Sequence, residues 1–116
     1  ARPADILVNG AGITGFVGAL DRTPVESFDR VFAVNVRGTF LACQAVLPPM
    51  RARRAGAIVN LASTAALVGS TRLGAYAATK AAVVSMTRSL AIAVAADGIR
   101  VNAVCPGAID TDMFAE

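Results

Sequence analysis

The sequence has no histidine and no tryptophan, and only one tyrosine and two cysteines among its 116 residues. Without histidine, the chain itself cannot form a Ser-His-Asp triad or a metal site with histidine ligands. Its cysteines, Cys43 and Cys105, lie far apart in apolar stretches. This spacing is unlike that of a metal site, so we expect buried, reduced thiols and no bound metal.

Charged residues are also scarce, at 16% of the chain, whereas 55% of it is hydrophobic. A domain this short cannot bury so much apolar surface by itself, and we therefore expect an oligomer or part of a longer protein. The N-terminal residues lack the hydrophobic region of a signal peptide. The most apolar segment, residues 77–96, is interrupted by Lys80 and Arg88, so we expect no membrane-spanning helix.

The net charge of +3 and the run of Arg51, Arg53 and Arg54 leave nucleic-acid binding as one interpretation. Proteins that bind single strands usually interleave aromatic residues with a basic groove, and aromatic residues are few here. Cations also complement the dipole at the C-terminal end of a helix. We therefore favour a solvated helix end and expect no nucleic-acid partner.

Three apolar runs alternate with two helical patterns. The runs cover residues 6–8, 57–62 and 101–105, and their composition is typical of strands in a parallel sheet, the first of them buried on both faces. The order strand, helix, strand, helix, strand predicts one α/β domain over residues 1–116.

The helix boundaries are marked by capping and breaking residues. Thr23-Pro24-Val25-Glu26 predicts a capped start, with the proline at the first helical position. We expect Gly38 to weaken this helix and Pro48-Pro49 to kink or end it. The second helix is expected from about residue 75 to residue 96, with Asp97-Gly98 as its stop.

Unusual residues follow each predicted strand, where open parallel sheets bind ligands. Small residues in Asn9-Gly10-Ala11-Gly12 would let the backbone approach a flat ligand closely, although an ordinary glycine turn is the simpler explanation of this run taken alone. Pro106-Gly107 and Thr111 follow the third strand, where a turn and a cap are the alternative. Ala62-Ser63-Thr64 follows the second.

Tyr76 and Lys80 lie four residues apart on a predicted helix and therefore share one face. A phenol is a weak acid, with an unperturbed pKa of about 10, and a neighbouring ammonium stabilises the phenolate. Such a pair could exchange a proton with a substrate hydroxyl. Taken alone, the spacing also occurs by chance in many helices.

Ser63 and Asn35 are two further polar residues in apolar surroundings. Ser63 ends a strand, where it could hydrogen-bond a substrate oxygen near Tyr76 or satisfy loop backbone groups instead. Asn35 interrupts an apolar helix face. It could hold a water or open the helix locally beside the site, or be satisfied at a kink near Gly38.

Together these residues resemble the classical short-chain dehydrogenase/reductase family. Asp5-Ile6-Leu7-Val8-Asn9-Gly10-Ala11-Gly12 is similar to its Asn-Asn-Ala-Gly strand motif, with Gly10 in place of the second asparagine. The remaining matches, in chain order, are Asn35-Val36-Arg37-Gly38, Ile58-Val59-Asn60-Leu61-Ala62-Ser63, Tyr76-Ala77-Ala78-Thr79-Lys80 and Val101-Asn102-Ala103-Val104-Cys105-Pro106-Gly107. Each motif is weak alone, but five in register make coincidence a poor explanation.

The resemblance implies roles for individual residues. The catalytic residues would be Asn35, Ser63, Tyr76 and Lys80. Tyr76 would be the general acid in reduction and the general base in oxidation; Lys80 would stabilise its phenolate and hold the nicotinamide ribose. Ser63 would orient the substrate oxygen, and Asn35 would support a water relay to Lys80. The residues lining the site of NAD or NADP would be Asn9, Ala11, Gly12, Tyr76, Lys80, Pro106, Gly107 and Thr111.

The resemblance also implies a Rossmann-like doubly wound parallel sheet, of which these residues form a three-strand β-α-β-α-β portion. It implies a cytoplasmic homo-oligomer, a dimer or a tetramer, that acts on a small ketone or secondary alcohol such as a 3-oxoacyl compound, a sugar or a steroid. The family's N-terminal glycine-rich segment and C-terminal substrate loop have no counterpart here, so we expect part of a longer enzyme. The alternatives are an inactive fragment and a non-catalytic dinucleotide-binding or assembly protein.

Overall fold

The computed structural model describes residues 3–108 and contains one parallel three-stranded sheet. Its strands are β1 (Ile6–Asn9), β2 (Gly56–Leu61) and β3 (Ile99–Val104), and they lie in the order β1-β2-β3. Asn9 pairs with Asn60, and Leu61 pairs with Val104, so all three strands end at the same edge. The predicted alternation and the parallel pairing are confirmed.

Two long helical segments connect the strands. The first consists of α1 (Val25–Phe32), a π-helical turn (Ala33–Arg37) and α2 (Gly38–Arg53). The second consists of α3 (Gly74–Val94), which continues into a short 3₁₀ turn. The core lies between one face of the sheet and the two helices α2 and α3, and its buried members are Cys43, Leu47, Met50, Ile58, Val94, Ile99 and Val101.

The opposite face of the sheet is open, and this corrects the expectation that the first strand is buried on both sides. Ile6 is 65% exposed and Val8 is 59% exposed, whereas Leu7 between them packs against the core. Side chains alternate across a strand, and within residues 3–108 only one face of β1 is covered by helices. An apolar run alone does not reveal which of its faces has a covering layer.

The start and the middle of the first helix also differ from the prediction. Thr23 does not cap it, because its hydroxyl donates a hydrogen bond to Ala19 O, and the helix begins at Val25 after Pro24. Pro48-Pro49 does not end α2, which continues to Arg53. The two carbonyls that lose a helical donor belong to Gln44 and Ala45, which are exposed, so solvent can satisfy them.

The second helix stops at the predicted Asp97-Gly98. Gly98 has a φ of 73°, and a Cβ there would lie 2.5 Å from Arg54 O, so the position requires glycine on both counts. The neighbouring arginines are anchored at this end of the sheet. Arg54 donates to Ala96 O, and Arg53 donates to Ala4 O. The basic run is thus a helix end near the starts of the strands, as the sequence indicated.

Two helical stretches, Val25–Arg53 and Gly74–Asp97, are long and apolar enough to cross a membrane. Length and composition are weak grounds for a membrane span, because core helices of soluble proteins meet the same criterion. Here both stretches pack against the sheet and bury polar side chains, including Asn35, Thr79 and Thr87.

Candidate active site

The polar residues singled out from the sequence surround the edge at which the three strands end. Ala62 N donates to Val104 O at 2.7 Å, and Thr64 N donates to Pro106 O at 3.0 Å. These two bonds hold the segments after β2 and β3 side by side. The start of α3, which carries Tyr76 and Lys80, packs against the short turn Thr64–Ala66 that follows Ser63.

Tyr76 and Lys80 share one face of α3, as their spacing predicted. Lys80 Nζ lies 5.8 Å from the centre of the Tyr76 ring and donates a hydrogen bond to Leu61 O at 2.9 Å. Each residue is only 6% exposed, and burial lowers the pKa of the Lys80 ammonium. The Tyr76 hydroxyl makes no hydrogen bond to any residue in the described range 3–108 and is not sealed from solvent. It is therefore free to meet a substrate.

Gly12 brings the strand end of β1 against this pair. A Cβ added at Gly12 would lie 3.3 Å from Lys80 Nζ and 3.4 Å from Asn35 Oδ1. Both atoms therefore flank the backbone of Gly12, and a side chain there would push against an ammonium and an amide that other bonds hold in place. Glycine at this position therefore allows three elements to approach closely: the loop after β1, the π-helical turn and α3.

Asn35 is 1% exposed, and both hydrogens of its amide are used in hydrogen bonds. Its Oδ1 accepts from Ile13 N at 2.9 Å, while its Nδ2 donates to Ile13 O at 2.9 Å and to Thr79 Oγ1 at 3.1 Å. Asn35 also lies at the centre of the π-helical turn Ala33–Arg37. The helix therefore opens at Asn35 itself rather than at Gly38, and the amide clamps the loop after β1 to α3.

Ser63 lies just beyond β2, with an extended backbone, and caps the turn Thr64–Ala66. Its Oγ accepts a hydrogen bond from Ala65 N at 3.1 Å. Ser63 thus does satisfy a backbone group of the loop, which was one of its two predicted roles. It uses the oxygen as an acceptor and leaves the hydroxyl hydrogen available, so the residue can still donate to a substrate oxygen.

The remaining candidates for cofactor contact differ in their surroundings. The Asn9 amide donates to Asn60 Oδ1 at 2.8 Å, so its side chain joins β1 to β2. Ala11 is exposed, Pro106 is half-buried, and a Cβ at Gly107 would meet no described atom within 4 Å. Thr111 lies outside the described residues. Among the predicted site residues within the described range, contacts link four of them: Gly12 lies against Asn35 and Lys80, and Lys80 lies beside the ring of Tyr76.

The whole chain, residues 1–116, matches the family model described as short chain dehydrogenase. The chain belongs to the short-chain dehydrogenase family. It is similar to the 2-(R)-hydroxypropyl-CoM dehydrogenase of Xanthobacter autotrophicus, with 57% identity over 94% of this chain and 44% of that protein. From the same organism, the inactive 2-(S)-hydroxypropyl-CoM dehydrogenase 2 is 54% identical over 96% of this chain and 48% of its own length. The chain thus spans about half the length of these relatives.

Solved structures of short-chain dehydrogenases confirm the Rossmann-like fold. A gluconate 5-dehydrogenase from Burkholderia cenocepacia, crystallised with NADP and tartrate, has a TM-score of 0.94 and 34% identity. The match covers 97% of this chain and 44% of that one. The described helices and strands therefore form about half of such a domain.

Two buried polar residues near the site were not recognised as such from the sequence. Thr79, which is fully buried, accepts from Asn35 and donates to Tyr76 O at 2.6 Å. Asn60, also fully buried, accepts from Asn9 and donates to Thr87 Oγ1 at 3.0 Å. An asparagine inside an apolar strand was a usable signal for Asn60. A threonine next to a lysine gave none, because Asn35, the partner that links it to the site, lies 44 residues away in the chain.

The two cysteines are free. Cys43 is buried in the core beside Asn9 and Asn60. Desolvation raises the pKa of its thiol, although the hydrogen bonds that it accepts from Asn9 and donates to Asn60 oppose the shift. Cys105 is only partly buried, so the expectation of two buried thiols is confirmed for Cys43 alone. Among residues 3–108 no group of three or more histidine, cysteine, aspartate or glutamate side chains could hold a metal ion.

Burial of Lys80 makes the stability of the domain depend on pH in a defined direction. Below its lowered pKa the side chain is charged in both states, and folding bears the full cost of burying the ammonium. As pH rises from there toward 10.5, the ordinary pKa of a solvated lysine, the unfolded state binds more protons than the folded state, and the free energy of unfolding rises. We expect urea titrations to show this rise in the wild type relative to Lys80→Met; a difference that stays flat or falls would contradict it.

Proposed function

We propose that the protein carrying this chain is an NAD- or NADP-dependent oxidoreductase that interconverts a ketone and a secondary alcohol on a small molecule. The observation that carries the proposal is the convergence of Lys80 Nζ and Asn35 Oδ1 on Gly12, beside a Tyr76 whose hydroxyl has no partner in the described structure. Membership of the short-chain dehydrogenase family supports it.

The residues at the strand ends fit a nicotinamide cofactor. Gly12 forms a cradle that a Cβ would fill, next to an ammonium that uses one of its three hydrogens on Leu61 O. Its other two hydrogens can hold ribose hydroxyls. Asn9, Ala11, Gly12, Pro106 and Gly107 would line the channel, with Thr111 beyond the described part. Hydride transfer is the chemistry that a bound nicotinamide supplies.

Within this site each side chain has a separate task in moving the proton. In reduction, the Tyr76 hydroxyl gives its proton to the substrate oxygen, and the Lys80 ammonium stabilises the phenolate that results. Ser63 donates to the same substrate oxygen and holds it near Tyr76. Asn35 fixes the loop after β1 and supports a water path to Lys80. In oxidation the same groups act in reverse, with Tyr76 as the base.

Turnover tests this proposal. We expect the purified full-length protein to oxidise NADH or NADPH with at least one member of a panel of ketones, or to reduce NAD or NADP with the matching alcohols. The panel includes 2-(R)-hydroxypropyl-CoM, because a 57%-identical relative is named for it. Binding of either reduced cofactor without any turnover would reject the enzyme and support the second candidate.

That second candidate is a non-catalytic dinucleotide-binding protein. It is favoured by one observation, the 54% identity with a relative named as inactive. The presence of Asn35, Ser63, Tyr76 and Lys80 together argues for the enzyme instead. Cofactor titration and turnover measured on the same preparation separate the two.

We also propose a cytoplasmic homo-oligomer, a dimer or a tetramer. Large apolar side chains are exposed on the helices: Phe40 and Leu41 on α2 are 48% and 41% exposed, and Ile92 on α3 is 82% exposed. A groove of about 330 Å³ lies between α2 and α3, and its lining includes the apolar side chains Phe40, Leu47, Met86 and Leu90. Light scattering is expected to give the mass of a dimer or a tetramer, and a monomer at all concentrations would contradict this assembly.

A further inference from the structure

Thr79 connects three parts of the candidate active site through one buried hydroxyl. It is 0% exposed and precedes Lys80 on α3. The hydroxyl donates to Tyr76 O at 2.6 Å and accepts from Asn35 Nδ2 at 3.1 Å. A hydroxyl has one hydrogen, and here it is used on the tyrosine's carbonyl. Only an acceptor therefore faces Asn35, which selects the amide nitrogen over the oxygen.

That selection matters because the Asn35 amide grips the backbone of Ile13 at both ends. Ile13 N needs an acceptor and receives Oδ1, and Ile13 O needs a donor and receives Nδ2. With Nδ2 directed to Thr79 as well, one amide orientation satisfies every group. The loop so fixed includes Gly12, whose backbone lies against Lys80 Nζ. Thr79 thus acts on the surroundings of Lys80 through Asn35 and the loop that this amide holds.

We propose that Thr79 is a positioning residue for proton transfer, acting through Asn35 and Gly12 and through the backbone of Tyr76. This inference rests on the proposed function for its kinetic part. It assigns to Thr79 a contribution to kcat rather than to substrate affinity, since the hydroxyl has no surface left for a substrate. A serine at this position would keep the hydroxyl and therefore the contribution to kcat.

The chain offers a matched control on the same helix. Thr87 is 5% exposed, donates to Val83 O at 2.7 Å and accepts from Asn60 Nδ2 at 3.0 Å. It therefore has the same pair of bonds as Thr79, with a buried asparagine as donor, but Asn60 in turn accepts from Asn9 on β1 instead of holding Ile13 and the loop at Gly12. Thr79→Val and Thr87→Val remove equivalent bonds, and only the first removes one that leads to Asn35 and the surroundings of Lys80.

In the full-length protein we expect Thr79→Val to lower kcat about tenfold, the effect of one buried hydrogen bond expressed at the reacting groups. KM is expected to stay within about twofold, because the change lies outside the substrate's reach. Thr79→Ser should restore most of the rate, and Thr87→Val should leave it unchanged. Thr79→Ala replaces the valine variant if that protein does not fold. A kcat loss shared equally by Thr87→Val, or no loss in Thr79→Val, would overturn the proposal.

Hydrogen exchange gives a readout that needs no turnover. Thr79→Val should speed exchange of the Ile13 amide, whose acceptor is Asn35 Oδ1, whereas Thr87→Val should not. Unchanged Ile13 protection in Thr79→Val would reject the positioning role even in an inactive protein. Faster exchange at Ile13 in a protein that turns over no ketone would retain the linkage and reject only the proposed function.

Discussion

Replacement of Tyr76 by phenylalanine is expected to reduce kcat by about 10² to 10⁴-fold, the usual contribution of a positioned general acid or base. The loss should be chemical and not structural. The ring is 6% exposed and stays packed, and its hydroxyl has no hydrogen bond within the described residues that the substitution could break. The free energy of unfolding should therefore change by less than about 1 kcal/mol.

Steady-state kinetics with the better of NADH and NADPH measures this effect, and titration of the same cofactor provides the control. Cofactor affinity should fall by no more than about tenfold, because phenylalanine removes at most one hydroxyl contact with the cofactor and leaves Lys80 and Gly12 in place. Undiminished turnover in Tyr76→Phe would remove Tyr76 from the proton path. A large loss of stability in this variant would instead show that the hydroxyl has a structural partner.

Asn35→Ala is expected to have the largest effect on stability. It leaves Ile13 N, Ile13 O and Thr79 Oγ1 without the amide that they share, in a site that is almost fully buried. Unsatisfied buried groups of this kind cost about 1 to 3 kcal/mol each, and partial relaxation should bring the total to about 2 to 4 kcal/mol. Turnover should fall as well, because the loop at Gly12 loses its anchor.

Urea unfolding of wild type and Asn35→Ala measures the stability change. Asn102→Ala serves as the control, since Asn102 is an exposed asparagine on β3 and its replacement should cost less than about 0.5 kcal/mol. Equal and small effects of both substitutions would mean that the three bonds of Asn35 contribute little to folding.

The fold could be predicted from the sequence wherever local pattern decides it. The apolar runs predicted the three strands. Gly98 marked the end of the second helical segment, because only glycine fits the positive φ and the close contact with Arg54 O at that position. Local patterns gave wrong predictions where the conformation depends on a partner elsewhere in the fold or on solvent. The hydroxyl of Thr23 turns to Ala19 instead of capping α1, and Pro48-Pro49 is tolerated because the carbonyls it orphans face solvent.

For the candidate site, the sequence identified residues that are odd in their context but not the bonds between them. Asn35 was singled out as a polar residue on an apolar face, and its π-helical turn confirms the local opening of the helix. Its partners Ile13 and Thr79 were not foreseen, because they lie 22 and 44 residues away in the chain. Thr79 looks locally like any helix threonine; only the tertiary fold gives its hydroxyl two partners.

The most direct measurement of the central claim is the fate of the hydride. The full-length protein is supplied with a reduced nicotinamide cofactor that carries deuterium at both positions of the transferring carbon, and with the ketone that it turns over fastest. Mass spectrometry of the alcohol product then locates the label. Deuterium at the carbinol carbon in the wild type, with formation of that product nearly abolished in Tyr76→Phe, is the predicted result. Unlabelled alcohol, or no alcohol from any ketone despite cofactor binding, would contradict the assignment of this site to hydride and proton transfer.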